Sequence, residues 1–288
     1  MQRVYVTLAF ICAAGFGSPA SAAIVYNNLT PNNLMAIASR PDTSAFEIEA
    51  ADDFVLNART NITSASFTGL LVPGSFGGTP SASQVVVEIY RVFPLDSNSA
   101  RTAKVPTRTN SPADVALDSR DSATGGLNFT TSTFAASFTT LNSVQPGGIH
   151  ASPLQTTGGN GPLTGSEVQF DATFNTPITL EAGHYFFIPQ VLLTNGGEFY
   201  WLSASRPISG AGTTPILPDL QAWTRDATLD PDWLRAGMDI VGGATPPTFN
   251  AAFALNGAIV PEASSFWMLL AGLLGLALTQ RAIRAPAR

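Results

Sequence analysis

His150 and His184 are the only imidazoles in this chain of 288 residues, and metal or nucleophilic chemistry would ordinarily start from such groups. Neither stands in a His-x-x-x-His or His-Glu-x-x-His spacing, and the single cysteine is Cys12. A zinc site would therefore have to be completed by carboxylates. No serine occurs as Gly-x-Ser-x-Gly, so the strained elbow that exposes a nucleophilic serine at the end of a strand is not encoded. Paired carboxylates leave no such trace, because they meet in space rather than in sequence. Asp52-Asp53 is the most conspicuous pair, and its place just before Phe54-Val55-Leu56 predicts a strand start where both acids cap a turn or face solvent.

Asp226, Asp230, Asp232 and Asp239 form a second acidic group. In Asp230-Pro231-Asp232-Trp233, a tight loop could bring the carboxylates of Asp226, Asp230 and Asp232 onto a hard cation, and calcium accepts oxygen ligands in loose geometry. Calcium is thus the one cofactor suggested, although the spacing matches no calcium-loop consensus; the plainer reading is an Asp-Pro turn on a solvated edge. Trp201, beside Tyr200, and Trp223 and Trp233 could offer flat faces to sugar rings. Aromatic residues at strand positions also serve as core, and the sequence leaves both readings open.

The elements that must position these groups read as strands. Val168, Phe170, Ala172 and Phe174 alternate with polar residues, a period of two with one wet face, and Phe249, Ala251, Phe253 and Leu255 repeat it. Residues 84–93 and 184–193 are more continuously apolar, as expected of strands covered on both faces, and Pro189 pushes the second toward an edge or a bulge. Asn195-Gly196-Gly197 tolerates positive φ and predicts a hairpin joining residues 184–193 to 198–203. Residues 45–56 and 62–72 bring the count to at least seven. Within the Ser/Thr/Asn/Gly-rich stretch 95–165, Leu127 with Phe129 and Phe134-Ala136-Phe138 predict one more hairpin, since a structureless loop of that length is improbable. With 25 Gly and 21 Pro and few helix-period patterns, the expected fold is all-β, a β-sandwich or jelly roll.

Both ends read as processing segments. Arg3, the short apolar run 4–16 and the small-x-small pattern Ala20-Ser21-Ala22 make residues 1–22 a signal peptide, cut by signal peptidase before Ala23. At the other end Val260-Pro261-Glu262-Ala263-Ser264-Ser265 runs into the apolar residues 266–278, from Phe266 and Trp267 to Leu278, and then into Arg281, Arg284 and Arg288. Those 13 apolar residues would span about 20 Å as a helix, against a hydrocarbon core of about 30 Å. Counting residues 264–283, with Arg281 snorkelling to the interface, closes most of the gap. The trailing arginines place that end in the cytoplasm and everything before Val260 outside.

The tail, motif then apolar helix then basic end, resembles a PEP-CTERM sorting signal of exported proteins in Gram-negative bacteria. Val260, Pro261 and Glu262 match the start of the motif and Ser264 and Ser265 its continuation, whereas Ala263 stands where the family has a second proline. The resemblance implies an exosortase-type processing enzyme as partner, anchoring at the inner membrane before processing, then display at the cell surface or beyond, in organisms that make exopolysaccharide. An ordinary single-pass anchor is the plainer alternative.

Between the ends, residues 23–259 form the expected ectodomain, followed without a linker by the segment 260–288. Residues 23–260 carry 10 Lys and Arg against 19 Asp and Glu, a net charge of −9, with Lys104 as the sole lysine. Such a surface repels phosphate backbones, which excludes nucleic acid as a partner. Without a cysteine in this part there is no disulfide, so stability rests on core burial or on a bound metal. Two functions are compatible with these features. One is a non-catalytic envelope or matrix protein with a structural, adhesive or polysaccharide-binding role; the other is a secreted glycan hydrolase on the same scaffold.

Overall fold

Period-two burial is carried through the molecule, and a computed structural model describes it over residues 23–42, 46–145, 149, 156–205, 221–260 and 272–274. Its strands are β1 (Ala23–Asn27), β2 (Pro31–Ala38), β3 (Ile48–Leu56), β4 (Thr60–Val72), β5 (Ala82–Arg91), β6 (Asp118–Asp121), β7 (Leu127–Thr140) and β8 (Asn142–Val144). They continue as β9 (Leu163–Leu180), β10 (Gly183–Leu193), β11 (Glu198–Ala204), β12 (Trp223–Asp226), β13 (Leu234–Arg235), β14 (Asn250–Ala251) and β15 (Phe253–Ile259). A π-helical turn, Ala236–Val241, follows β13. The chain is thus all-β, folded as two multi-stranded sheets.

In the nine-stranded sheet, β4 is the hub. One of its edges pairs with β9, which in turn pairs with β7. The other edge is shared: Thr60 to Phe67 pair with β15, and Gly69 to Val72 pair with β11. From there the sheet forks, to β1 beyond β15 and to β2 and β8 beyond β11. A side chain at Gly69 would meet the Phe199 ring, 2.1 Å from an ideal Cβ, so the fork demands glycine there. The six-stranded sheet runs β13-β12-β3-β10-β5-β6.

The two sheets pack through alternating inward residues. Phe67 stacks on Phe170 at 5.0 Å within the first sheet, and Phe187 of the second stacks on Phe253 of the first at 5.0 Å. Val168, Phe170, Ala172 and Phe174 are all buried, as their alternation predicts. Phe249, Ala251, Phe253 and Leu255 are buried too, but so are Asn250, Ala252 and Ala254 between them, so that stretch has no wet face until it passes Ala254. A second apolar cluster, Ala51, Tyr90, Ala113, Phe186, Ile188, Trp223 and Trp233, lies on the outer face of the six-stranded sheet under residues 92–117. That cover explains the continuously apolar sequence of β10.

Three local expectations are corrected. Asn195 and Gly196 do take positive φ, 57° and 65°, but the strands they join do not pair: β10 belongs to the six-stranded sheet and β11 to the nine-stranded one, so the turn crosses between layers. Pro189 lies in a central strand, beyond the last β3 pairing at Phe187 and Asp52. Its carbonyl accepts from Ser39 Oγ at 2.6 Å on that side, so its nitrogen faces a gap in the ladder rather than a strand. Leu127 to Thr140 form one long strand against β9, not a hairpin.

Candidate functional site

The outer face of the six-stranded sheet gathers the polar groups best placed for chemistry. Glu47 immediately precedes β3 and Glu49 is its second residue, and Glu88 and Tyr90 are two apart on β5, so each pair shares a face. The carboxylate oxygens of Glu47, Glu49 and Glu88 lie within 4.8 Å of one another, the one group of this kind among the described residues. Arg225 on β12 pairs directly with Glu49, and its Nη2 donates to the Tyr90 hydroxyl at 2.9 Å. That hydroxyl stands 2.9 Å from Glu49 Oε1 and 3.2 Å from Glu88 Oε2, and Gln190 Nε2 of β10 donates to Glu47 Oε1 at 2.8 Å. The guanidinium is held over the rings of Trp233 at 4.3 Å and Tyr90 at 5.3 Å. Asp42, Phe46, Glu47, Glu49, Asp226, Ala227 and Asp230 line a cleft of about 160 Å³ beside this network.

Three crowded carboxyls with one guanidinium cannot all ionise freely. Burial, and then the charges of Glu49 and Glu47, push the Glu88 carboxyl up to about 8. Glu47 is raised as well, by burial first and by Glu49 second. Burial and the adjacent Glu49 likewise drive the Tyr90 phenol upward. Burial opposes the charge of Arg225, but Glu49 more than compensates and holds it cationic. At neutral pH Glu88 therefore keeps a proton on a neutral acid, with Glu49 as the acceptor beside it. Glu47, Glu49 and Glu88 are the residues that could converge on a cation, but Arg225 already supplies a positive charge to Glu49.

Asp52 and Asp53 are buried within β3 rather than exposed at its start, which overturns the solvent-facing expectation. Being adjacent on a strand, they point to opposite faces. Asp52 enters the space between the sheets, where Oδ2 accepts from the backbone N–H of Ala251 on β14 at 2.7 Å. Asp53 turns outward and lies 3.0 Å from His184 Nε2. They cannot act on one substrate atom together.

The second acidic group is also dispersed. Asp232 is fully buried between Arg101, at 2.7 and 2.9 Å, and Arg108, and accepts the Lys104 N–H at 2.7 Å. Burial alone would raise its carboxyl, but these donors hold it below the ordinary range. Asp226 Oδ1 caps the following turn through Thr228 and Leu229, Asp239 pairs with Arg235, and only Asp230 is largely exposed, 3.0 Å from Arg225. Asp226, Asp230 and Asp232 therefore do not converge on one point: Asp226 is held by hydrogen bonds in its own turn, and Asp230 and Asp232 by arginines of the chain. Trp201, Trp223 and Trp233 are all buried, with Trp201 Nε1 donating to Ala252 O and Trp233 Nε1 to Ala113 O. None presents a face to a sugar.

Ala20, Ala22 and His150 fall outside the described residues, as do residues 261–271 and 275–288, while Ala23 opens β1 and Val260 follows β15. Gly272 to Leu274 are helical, and among the described residues no helix is long and apolar enough to cross a membrane. No protein-family model, no curated protein and no solved structure matches this chain.

Proposed function

We propose that this chain is an exported, non-catalytic β-sandwich of a Gram-negative cell envelope, held at the inner membrane by its PEP-CTERM-like tail until an exosortase-type enzyme processes it, and then displayed as a structural or adhesive element of the surface or matrix. The observation that carries the reading is the three-part tail beginning at Val260-Pro261-Glu262. Two features of the body support it. Ala23 pairs with Gly257 of β15, so the segments before Ala23 and after Ile259 attach at the same end of two neighbouring strands. On the outer face Glu49 is committed to groups of the same chain, buried against Arg225 and Tyr90.

Mass spectrometry of the mature C-terminus from native cells tests this directly. A chain ending within or near residues 260–265 is the expected product. An intact C-terminus at Arg288 on a soluble cytosolic protein overturns the reading. The glycan-hydrolase alternative would draw its carboxylates from Glu47, Glu49 and Glu88, and reducing-sugar release by the purified protein that vanished in Glu88→Gln would establish it instead.

A further inference from the structure

Every sheet must end somewhere, and an end strand leaves a row of backbone donors and acceptors open to another chain. Here most of the end strands are short: β1 has 5 residues, β6 has 4, β8 has 3 and β13 has 2. β7 is the exception, with 14 residues and, among the described residues, β9 as its one strand partner. Its sequence, Leu-Asn-Phe-Thr-Thr-Ser-Thr-Phe-Ala-Ala-Ser-Phe-Thr-Thr, contains no charge, no proline and no glycine, whereas β6 reads Asp-Ser-Arg-Asp. None of the usual guards against edge pairing occupies Leu127 to Thr133, which run against β9 in unbroken register from Leu127 opposite Phe174 to Thr133 opposite Val168. The ladder becomes irregular only beyond Thr133. Asn128, Thr130, Thr131, Ser132 and Thr133 are exposed, while Leu127 and Phe129 turn toward the core.

We propose that the free edge of β7 is a self-association surface, on which a second copy of this chain pairs its own β7 antiparallel about a two-fold axis at Thr130, continuing the nine-stranded sheet from one molecule into the next. The segment is its own complement in that register. Thr130 faces Thr130, Phe129 faces Thr131, Asn128 faces Ser132 and Leu127 faces Thr133, which are the threonine-threonine, aromatic with β-branched and polar pairs that favour antiparallel ladders. Charge points to the same occupant. The acids on the neighbouring strand β9 are Asp171 and Glu167, opposite Thr130 and Ala135. In the paired state the two β9 strands stand three strand spacings apart, about 14 Å, beyond the Debye length of about 8 Å at physiological ionic strength. Two molecules of strongly acidic composition can therefore meet at this edge with their charge screened. The inference goes beyond the export reading and does not depend on it.

Disulfide cross-linking of the full chain tests it, in a Cys12→Ser background that removes the sole native thiol. Two Thr130→Cys residues facing each other would have Cα atoms about 4.5–5.5 Å apart, within disulfide reach, whereas Asn128→Cys would face its own copy at about 14 Å and stay reduced. The expected pattern is a covalent dimer for Thr130→Cys alone, none for Asn128→Cys or Ser132→Cys alone, and a mixed dimer when those two are combined. Thr131→Lys with Thr133→Lys should abolish the dimer by light scattering while leaving the circular dichroism unchanged. A Thr130→Cys chain that stays reduced, equal cross-linking at Thr124→Cys, or an extended peptide that binds β7 while the free chain remains monomeric would overturn the proposal.

Discussion

The outer face of the six-stranded sheet and the β7 edge of the nine-stranded sheet solve opposite problems. The first carries Glu49, Asp53, Glu88, His184 and Arg225, with Glu49, Asp53 and Arg225 buried and each group tied to another group of the same chain. The second carries no charge at all and is left open. Charges taken out of water need partners nearby, so the first region is closed and costly to disturb. Neutral hydroxyls and amides on an exposed strand cost little to leave in water and little to pair, so the second is suited to contact with another molecule.

Breaking the closed region should have the largest effect. Arg225→Ala leaves Glu49 buried without its cation and should destabilise the fold by about 3–5 kcal/mol in urea unfolding. Asp232→Asn should cost about 3 kcal/mol by loss of its arginine partners, equally with and without calcium, whereas a calcium site would make the loss depend on the ion. Asp52→Ala removes the strut to the Ala251 N–H and should cost about 2 kcal/mol.

The pH dependence sharpens the contrast. Glu88 rises from an ordinary 4.5 to about 8 on folding, so the folded state binds the proton more tightly than the unfolded chain. The stability this contributes is complete below about 4.5 and is lost as pH rises through about 8; Glu47 shifts in the same direction. The thermal midpoint should therefore fall between pH 5 and pH 8, and Glu88→Gln should flatten that slope. Ser132→Ala on β7 should change stability by no more than about 0.5 kcal/mol at any of these pH values, because it touches only the open edge.

Much of the strand inventory is legible from alternation and apolar runs. β4, β5, β9, β10 and β11 stand where those patterns put them, since a half-buried strand must alternate and a doubly covered one must not. Connectivity is less legible. Asn195-Gly196 encodes a chain reversal through its left-handed backbone, but the same reversal serves a hairpin or a crossing between layers, and only packing distinguishes them. The site was partly visible. Glu47-x-Glu49 and Glu88-x-Tyr90 each place two polar groups on one face, a signal the more obvious Asp52-Asp53 lacks, because adjacent residues diverge. Nothing local brings Glu88 to Glu49 or Arg225 to both.

What the sequence determined by itself was the all-β class, the acidic and cysteine-free character of residues 23–260, and the three-part pattern at the C-terminus, because composition, period and order are properties of the chain alone. Tertiary structure decided which tryptophans are core, which aspartates are paired, where a proton is held and which strand is left at the edge. Those outcomes depend on partners tens to hundreds of residues away, 176 in the case of Arg225 and Glu49, and only the stacking of sheets brings such partners within bonding distance.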